Sequence, residues 1–121
     1  FRALQLPFNL AMLEARMAST QPAGRKLAPL LQVARAHGLM VFASASLLQG
    51  QLTQGLPPES RSWFPGMRTD AQRALQFVRS TPGITCALVG MSNLEHVQEN
   101  LGTASTAPMT LEQFRAILQG T

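Results

Sequence analysis

At 121 residues the chain has the size of one small domain, and 45% hydrophobic against 13% charged residues excludes a disordered polymer. The net charge of +4 comes from ten scattered basic residues whose densest cluster is Arg25-Lys26, with no aromatics interleaved, so no nucleic-acid-binding stripe is present. The single Cys86 cannot staple a domain, His37 and His96 make no metal cluster, and no apolar run approaches the length of a membrane span.

Residues 3–10 (ALQLPFNL) read as a strand running into a turn. Pro7 marks the strand's end or a bulge, because proline donates no ladder hydrogen bond. Residues 12–17 make one helical turn or a loop, and 19–24 (STQPAG) a loop by composition. The spacing of Leu27, Leu30, Leu31 and Ala34 predicts a first helix over 25–37. Pro29 belongs in its first turn and Gly38 supplies its stop. His37 at the end reads as a surface group favoured by the helix dipole, and Lys26 as a group on the helix surface.

Residues 39–43 (LMVFA) form a second buried strand, followed by a small-residue stretch over 44–53 (SASLLQGQLT). Residues 54–68 make a long polar loop, which Trp63 and Phe64 either pin to the body or turn into a lid over a ligand. Thr69 or Asp70 caps a second helix, whose stripe is Ala71, Ala74, Leu75 and Val78 and which Pro82-Gly83 ends.

Residues 84–89 (ITCALV) read as a third strand, buried on both faces, with Cys86 a small buried hydrophobe. Ser92 stands three residues before Glu95, which predicts an N-cap and its capping box. Leu94, Val97 and Leu101 would form that helix's apolar stripe. A strand passing through Gly90 into a capped helix presents free N–H groups at the positive end of a dipole. Such a corner can hold a phosphate, although many βα corners bind nothing. A spacer then reaches Pro108, and Thr110 with Gln113 forms a further capping box. It opens a final helix through Leu111, Phe114, Ile117 and Leu118.

The alternation of apolar strands with helices gives an α/β fold, a parallel sheet covered by helices. Three strands leave two apolar edges. The expectation is therefore that more chain precedes Phe1, or that copies assemble to close the structure.

Together the three βα units resemble the last three of the eight repeats in the aldo-keto reductase family. The resemblance runs from Gln5 to about Leu118. It is carried by residues 47–53 (LLQGQLT), 74–83 (ALQFVRSTPG) and 89–101 (VGMSNLEHVQENL). The first is similar to the family's S-P-L-x-x-G-x-L loop, and the last to the segment that ends in a Glu-Asn pair. The resemblance implies the C-terminal portion of a (β/α)8 TIM barrel plus a C-terminal helix, with residues 1–121 a partial barrel domain lacking its N-terminal half. It also implies a cytoplasmic NAD(P)(H)-dependent oxidoreductase acting on a small carbonyl or alcohol.

On that resemblance the cofactor-binding residues are Gln5, Ser46, Leu47, Gln49, Gly50, Gly90, Met91, Ser92, His96, Glu99 and Asn100. Gln5 falls where a side-chain amide holds the nicotinamide carboxamide, though a plain strand glutamine reads the same. Residues 46–50 fall on the loop over the pyrophosphate. Ser92 and His96 lie where the family meets the adenosine phosphate, and Glu99 and Asn100 where it meets adenosine. Gly90 and Met91 sit at the corner between.

The chain departs from the family pattern at Ser44, where a stacking aromatic is frequent, at Ala45 in place of Ser, and at Ser46 in place of Pro. His96 replaces an Arg that often binds the 2′-phosphate. The choice between NADP(H) and NAD(H) is therefore open, with NADP(H) favoured by family habit. The family's catalytic Tyr, Lys, Asp and His come from the first half of the barrel. This chain contains no Tyr, and its one Lys is Lys26, so the resemblance places no catalytic residue within it. A nucleotide-binding regulatory protein of the same fold is the alternative reading.

Overall fold

The computed structural model describes residues 2–120. In chain order its elements are β1 (Ala3–Pro7), α1 (Glu14–Met17), β2 (Ser19–Ala23), β3 (Lys26–Pro29), α2 (Leu30–Ala36), β4 (Met40–Ser44), α3 (Ser60–Trp63), α4 (Asp70–Ser80), β5 (Cys86–Ala87), α5 (Leu94–Gly102) and α6 (Leu111–Gly120). Single 3-10 turns fall at Gln51–Thr53 and Thr103–Ser105.

β1, β4 and β5 form a parallel sheet in the order β1-β4-β5, with Leu4 opposite Val41, Leu6 opposite Ala43, and Phe42 opposite Cys86. Strand side chains alternate between faces, so Leu6, Val41 and Ala43 point together into the core. Gln5, Phe42, Ser44 and Cys86 share the opposite face. That face is open in this chain. Cys86 is consequently exposed rather than buried, and the strand expected over 84–89 is paired only at Cys86–Ala87, on the sheet's edge. Burial on both faces needs a second layer, which these three strands do not have.

The first helix is shorter than its spacing predicts. Residues 19–29 instead form the antiparallel hairpin β2–β3, turning at Gly24 with φ of 65°. Pro29 is the reason. A residue before proline is pushed out of the helical region, so Ala28 is extended and the helix begins after Pro29, at Leu30. Leu27 is thereby turned out to solvent, and Lys26 lies exposed on a strand rather than on a helix. The end of α2 is as expected. Gly38, at φ of 66°, lets Leu39 N–H reach Ala34 O at 2.9 Å and Gly38 N–H reach Arg35 O at 3.1 Å, the paired bonds of a Schellman cap. His37 is exposed beside it.

α4 is the centre of the packing. Thr69 Oγ1 accepts from Gln72 N–H at 3.2 Å and caps the helix. Residues 71–78 are all buried, polar ones included. Phe77 stacks between Phe8 and Phe114 with ring centroids 5.9 and 5.2 Å apart. Arg79 donates to the carbonyls of Thr103 and Thr106, and Gln76 to that of Ala107, so the helix's polar side holds the connection to α6. The box at that helix is reciprocal: Thr110 N–H donates to Gln113 Oε1 at 2.9 Å and Gln113 N–H to Thr110 Oγ1 at 3.2 Å. Arg16 lies over the Phe114 ring at 4.9 Å. Burial, and secondarily Arg115, holds the Arg16 pKa below its ordinary value.

The segment over 54–68 is pinned. Phe64 and Met67 are buried in the core. Arg73, itself buried, pairs with Asp70 at 2.6 Å and donates to Met67 O and Arg68 O, while Asp70 Oδ2 accepts from Leu56 N–H at 3.1 Å. The contacts are those of an anchor, not of a lid. Among the described residues no helix is long and apolar enough to cross a membrane.

Candidate functional site

Beyond the carboxyl end of β4 the backbone takes an uncommon course. Ala45, Leu48 and Gln49 have φ of 56°, 49° and 53°, and Gly50 follows at 86°. Left-handed conformation costs a residue with a Cβ roughly 1–2 kcal/mol, so three of them persist only where the surroundings impose them. Part of the imposition is visible. Ala45 O accepts from Leu48 N–H at 2.8 Å and from Asn9 Nδ2 at 2.8 Å, and the buried Ser46 hydroxyl donates to Ala43 O at 3.3 Å. The N–H groups of Leu47, Gln49 and Gly50 have no acceptor among the described residues.

Facing this loop is the corner from β5 to α5. Leu88 N–H donates to Ala43 O at 2.9 Å, holding the end of β5 against β4. The cap of α5 is Asn93, not Ser92: its side chain accepts from His96 N–H at 2.9 Å, with Asn93 extended at φ −148° and ψ 166°. Two good capping residues stand side by side here, and the later one is used. Ser92 is left exposed with its hydroxyl unengaged by the helix. α5 also buries no residue. Of the expected apolar stripe, Leu94 and Leu101 are exposed and Val97 alone is partly covered. The helix instead meets α4 through polar contacts, Gln72 Nε2 donating to Glu99 O at 2.7 Å.

Loop and corner enclose one cleft of about 600 Å³. Ser46, Leu47, Gln49 and Gly50 line one wall. Gly90, Ser92, His96, Glu99 and Asn100 line the other, with Ala71 of α4 at the junction. The spacing of His96, Glu99 and Asn100 explains their convergence, since residues three and four apart share a helix face. Two residues expected with them are elsewhere. Gln5 lies on the open sheet face beside Phe42, and Met91 is exposed and does not line the cleft, although its neighbours Gly90 and Ser92 do. His96 is the one lining residue able to carry positive charge and Glu99 the one carboxylate. A phosphate in the cleft would therefore be held by backbone N–H groups and hydroxyls.

No family model and no curated protein matches the chain. Solved structures do. It superposes on the aldo-keto reductase AKR11C1 from Bacillus halodurans, holo form, with a TM-score of 0.68 at 17% identity over 98% of this chain and 42% of that one. The apo form gives 0.66 at 18%, over 97% and 42%. The thermostable aldo-keto reductase Tm1743, solved with the inhibitor epalrestat, gives 0.65 at 15%, over 94% and 38%.

This chain has the fold of the C-terminal part of an aldo-keto reductase.

It spans about two fifths of the length of the solved structures it matches. Its sheet strands are parallel and its cleft lies at their carboxyl ends, the face on which barrel enzymes build their sites. Two residues that shape the cleft have no signal in the aldo-keto reductase resemblance. Asn9 reads as a turn residue after β1, and Gln72 as a polar position on α4, yet each reaches one of the two walls. The clue in the sequence is thin: an Asn two residues after the proline that ends a strand, and a Gln three residues after a capping Thr.

Proposed function

We propose that the chain is the cofactor-binding C-terminal part of an NAD(P)(H)-dependent aldo-keto reductase that interconverts carbonyls and alcohols. The observation that carries this reading is the cleft itself, where Ser46, Leu47, Gln49 and Gly50 meet Gly90, Ser92, His96, Glu99 and Asn100 from a segment about 40 residues on. The donor set suits a dinucleotide. Leu47, Gln49 and Gly50 offer N–H groups to a pyrophosphate across a wall whose glycine leaves room for close approach. Ser92 and the first turn of α5 offer a hydroxyl and the positive end of a dipole to a further phosphate. Glu99 and Asn100 present a carboxylate and an amide, acceptors and donors for an adenine edge and ribose.

The nicotinamide end would pass from the cleft to the open sheet face, where Gln5 has a donor and an acceptor for a carboxamide. A nicotinamide bound there supplies the hydride. The chain's own part is to bind and orient, since it contains no tyrosine, the residue the family uses as proton donor. A tyrosine for that role would have to come from outside these residues. NADP(H) is the favoured form, without a permanent cation beside His96 to secure it.

The test is a calorimetric titration of NADPH and NADH into the full-length protein, followed by NADPH consumption with a panel of aldehydes. Saturable binding and turnover above background are expected. Absence of binding by either nucleotide would overturn the reading, and binding without turnover would restrict it to nucleotide binding.

A further inference from the structure

We infer that Asn9 is a positioning residue for nucleotide binding, setting the left-handed loop over 45–50 without touching the nucleotide. This rests on the cofactor reading of the cleft. Asn9 is fully buried and is not part of the cleft's lining. Every polar group it has is engaged. Its backbone N–H and carbonyl exchange bonds with Met12 at 3.2 and 3.1 Å, Oδ1 accepts from Ala11 N–H at 2.8 Å, and Nδ2 donates to Ala45 O at 2.8 Å. The first three bonds fix the side chain in a rigid turn after β1. The fourth spends that rigidity on a peptide group 36 residues away.

Ala45 is where the loop leaves the strand direction. Its φ of 56° suits glycine better than alanine, and its carbonyl takes both the Asn9 amide and Leu48 N–H. The two bonds together hold the peptide group in one orientation. From it follow Ser46, Leu47, Gln49 and Gly50, four residues of the cleft wall. A loop of strained residues needs an external tie, and Asn9 is the buried side chain that supplies it.

The decisive variant is Asn9→Asp in the full-length protein. The carboxylate keeps the acceptor for Ala11 N–H, loses the donor to Ala45 O and turns a negative charge toward that carbonyl. NADPH affinity should fall about tenfold or more as the loop samples other conformations. Ala45→Gly, which adopts positive φ freely, should restore most of the affinity lost in Asn9→Asp. A residue that only stabilises the fold would lower the melting temperature without that rescue. If wild-type protein fails to bind NADPH, the cofactor reading falls. If it binds and Asn9→Asp binds equally well, or if glycine at 45 gives no rescue, the role assigned to Asn9 falls. Should Asn9→Asp not fold, the double variant decides. Recovery of folding and binding supports the assignment, and continued failure to fold makes Asn9 a core residue and overturns it.

Discussion

Gln72 joins the two central helices through one amide: Nε2 donates to Glu99 O at 2.7 Å and Oε1 accepts from Arg68 N–H at 2.8 Å. The carbonyl it meets lies in the last turns of α5, where helix acceptors lack intrahelical partners. Replacing Gln72 with Ala should cost about 1–2 kcal/mol in urea unfolding, because both released groups are only partly buried. A Cβ on Gly102 would come within 2.5 Å of Gln72 Nε2, so Gly102→Ala displaces the same amide. The double variant should therefore lose less than the sum of the two. Full additivity would show that Gln72 does not tie the helices together in this way.

His96 controls nucleotide selectivity if the 2′-phosphate lies at the start of α5. His96→Arg supplies a permanent planar cation on the cleft wall that Ser92 also lines. A charge-assisted bond of roughly 1.5–3 kcal/mol tightens NADPH about ten- to a hundredfold. NADH affinity should hardly change. An equal gain for both nucleotides in calorimetry would place the phosphate elsewhere.

Arg73 anchors the segment over 54–68 from inside the protein. Removing it with Arg73→Met leaves Asp70 and the carbonyls of Met67 and Arg68 without their partner. The cost should be about 3 kcal/mol, the low end for breaking a buried pair, since Asp70 keeps some exposure. Trypsin should then cut at Arg61 or Arg68 well before the wild-type protein is nicked. Unchanged proteolysis with lowered stability would show that Phe64 and Met67 hold the segment without Arg73.

The parts of the fold legible in the sequence were those set by local chemistry. The Thr69 cap, the α4 stripe of Ala71, Ala74, Leu75 and Val78, the Schellman end at Gly38 and the Thr110–Gln113 box all follow from residues within one or two turns. Where two local rules competed, spacing misled. Leu27 fits the period of α2, but Pro29 forbids the helix from reaching back to it, and a hairpin takes its place. Ser92 satisfies the capping-box pattern, but Asn93 is the residue whose backbone is extended at the cap.

Long-range relations were not legible. Whether Cys86, Leu94 or Leu101 is covered depends on what lies against each face, which periodicity does not state. Gln72, Arg73 and Gln76 look like a solvated helix face, yet they are buried because carbonyls over 67–107 come to meet them. The cleft was legible through resemblance: nine of the eleven residues named from it line the same space, while Gln5 and Met91 do not.

Hydrogen exchange of the full-length protein with and without NADPH reports where the nucleotide sits. Amides over 46–50 and over 90–100 should exchange more slowly on binding, by about tenfold at nucleotide concentrations well above the dissociation constant. The amides of the β2–β3 hairpin, none of whose residues lines the cleft, should not respond. Protection confined to segments outside 46–50 and 90–100, or none at saturating NADPH, would contradict the assignment of this cleft to a nicotinamide dinucleotide.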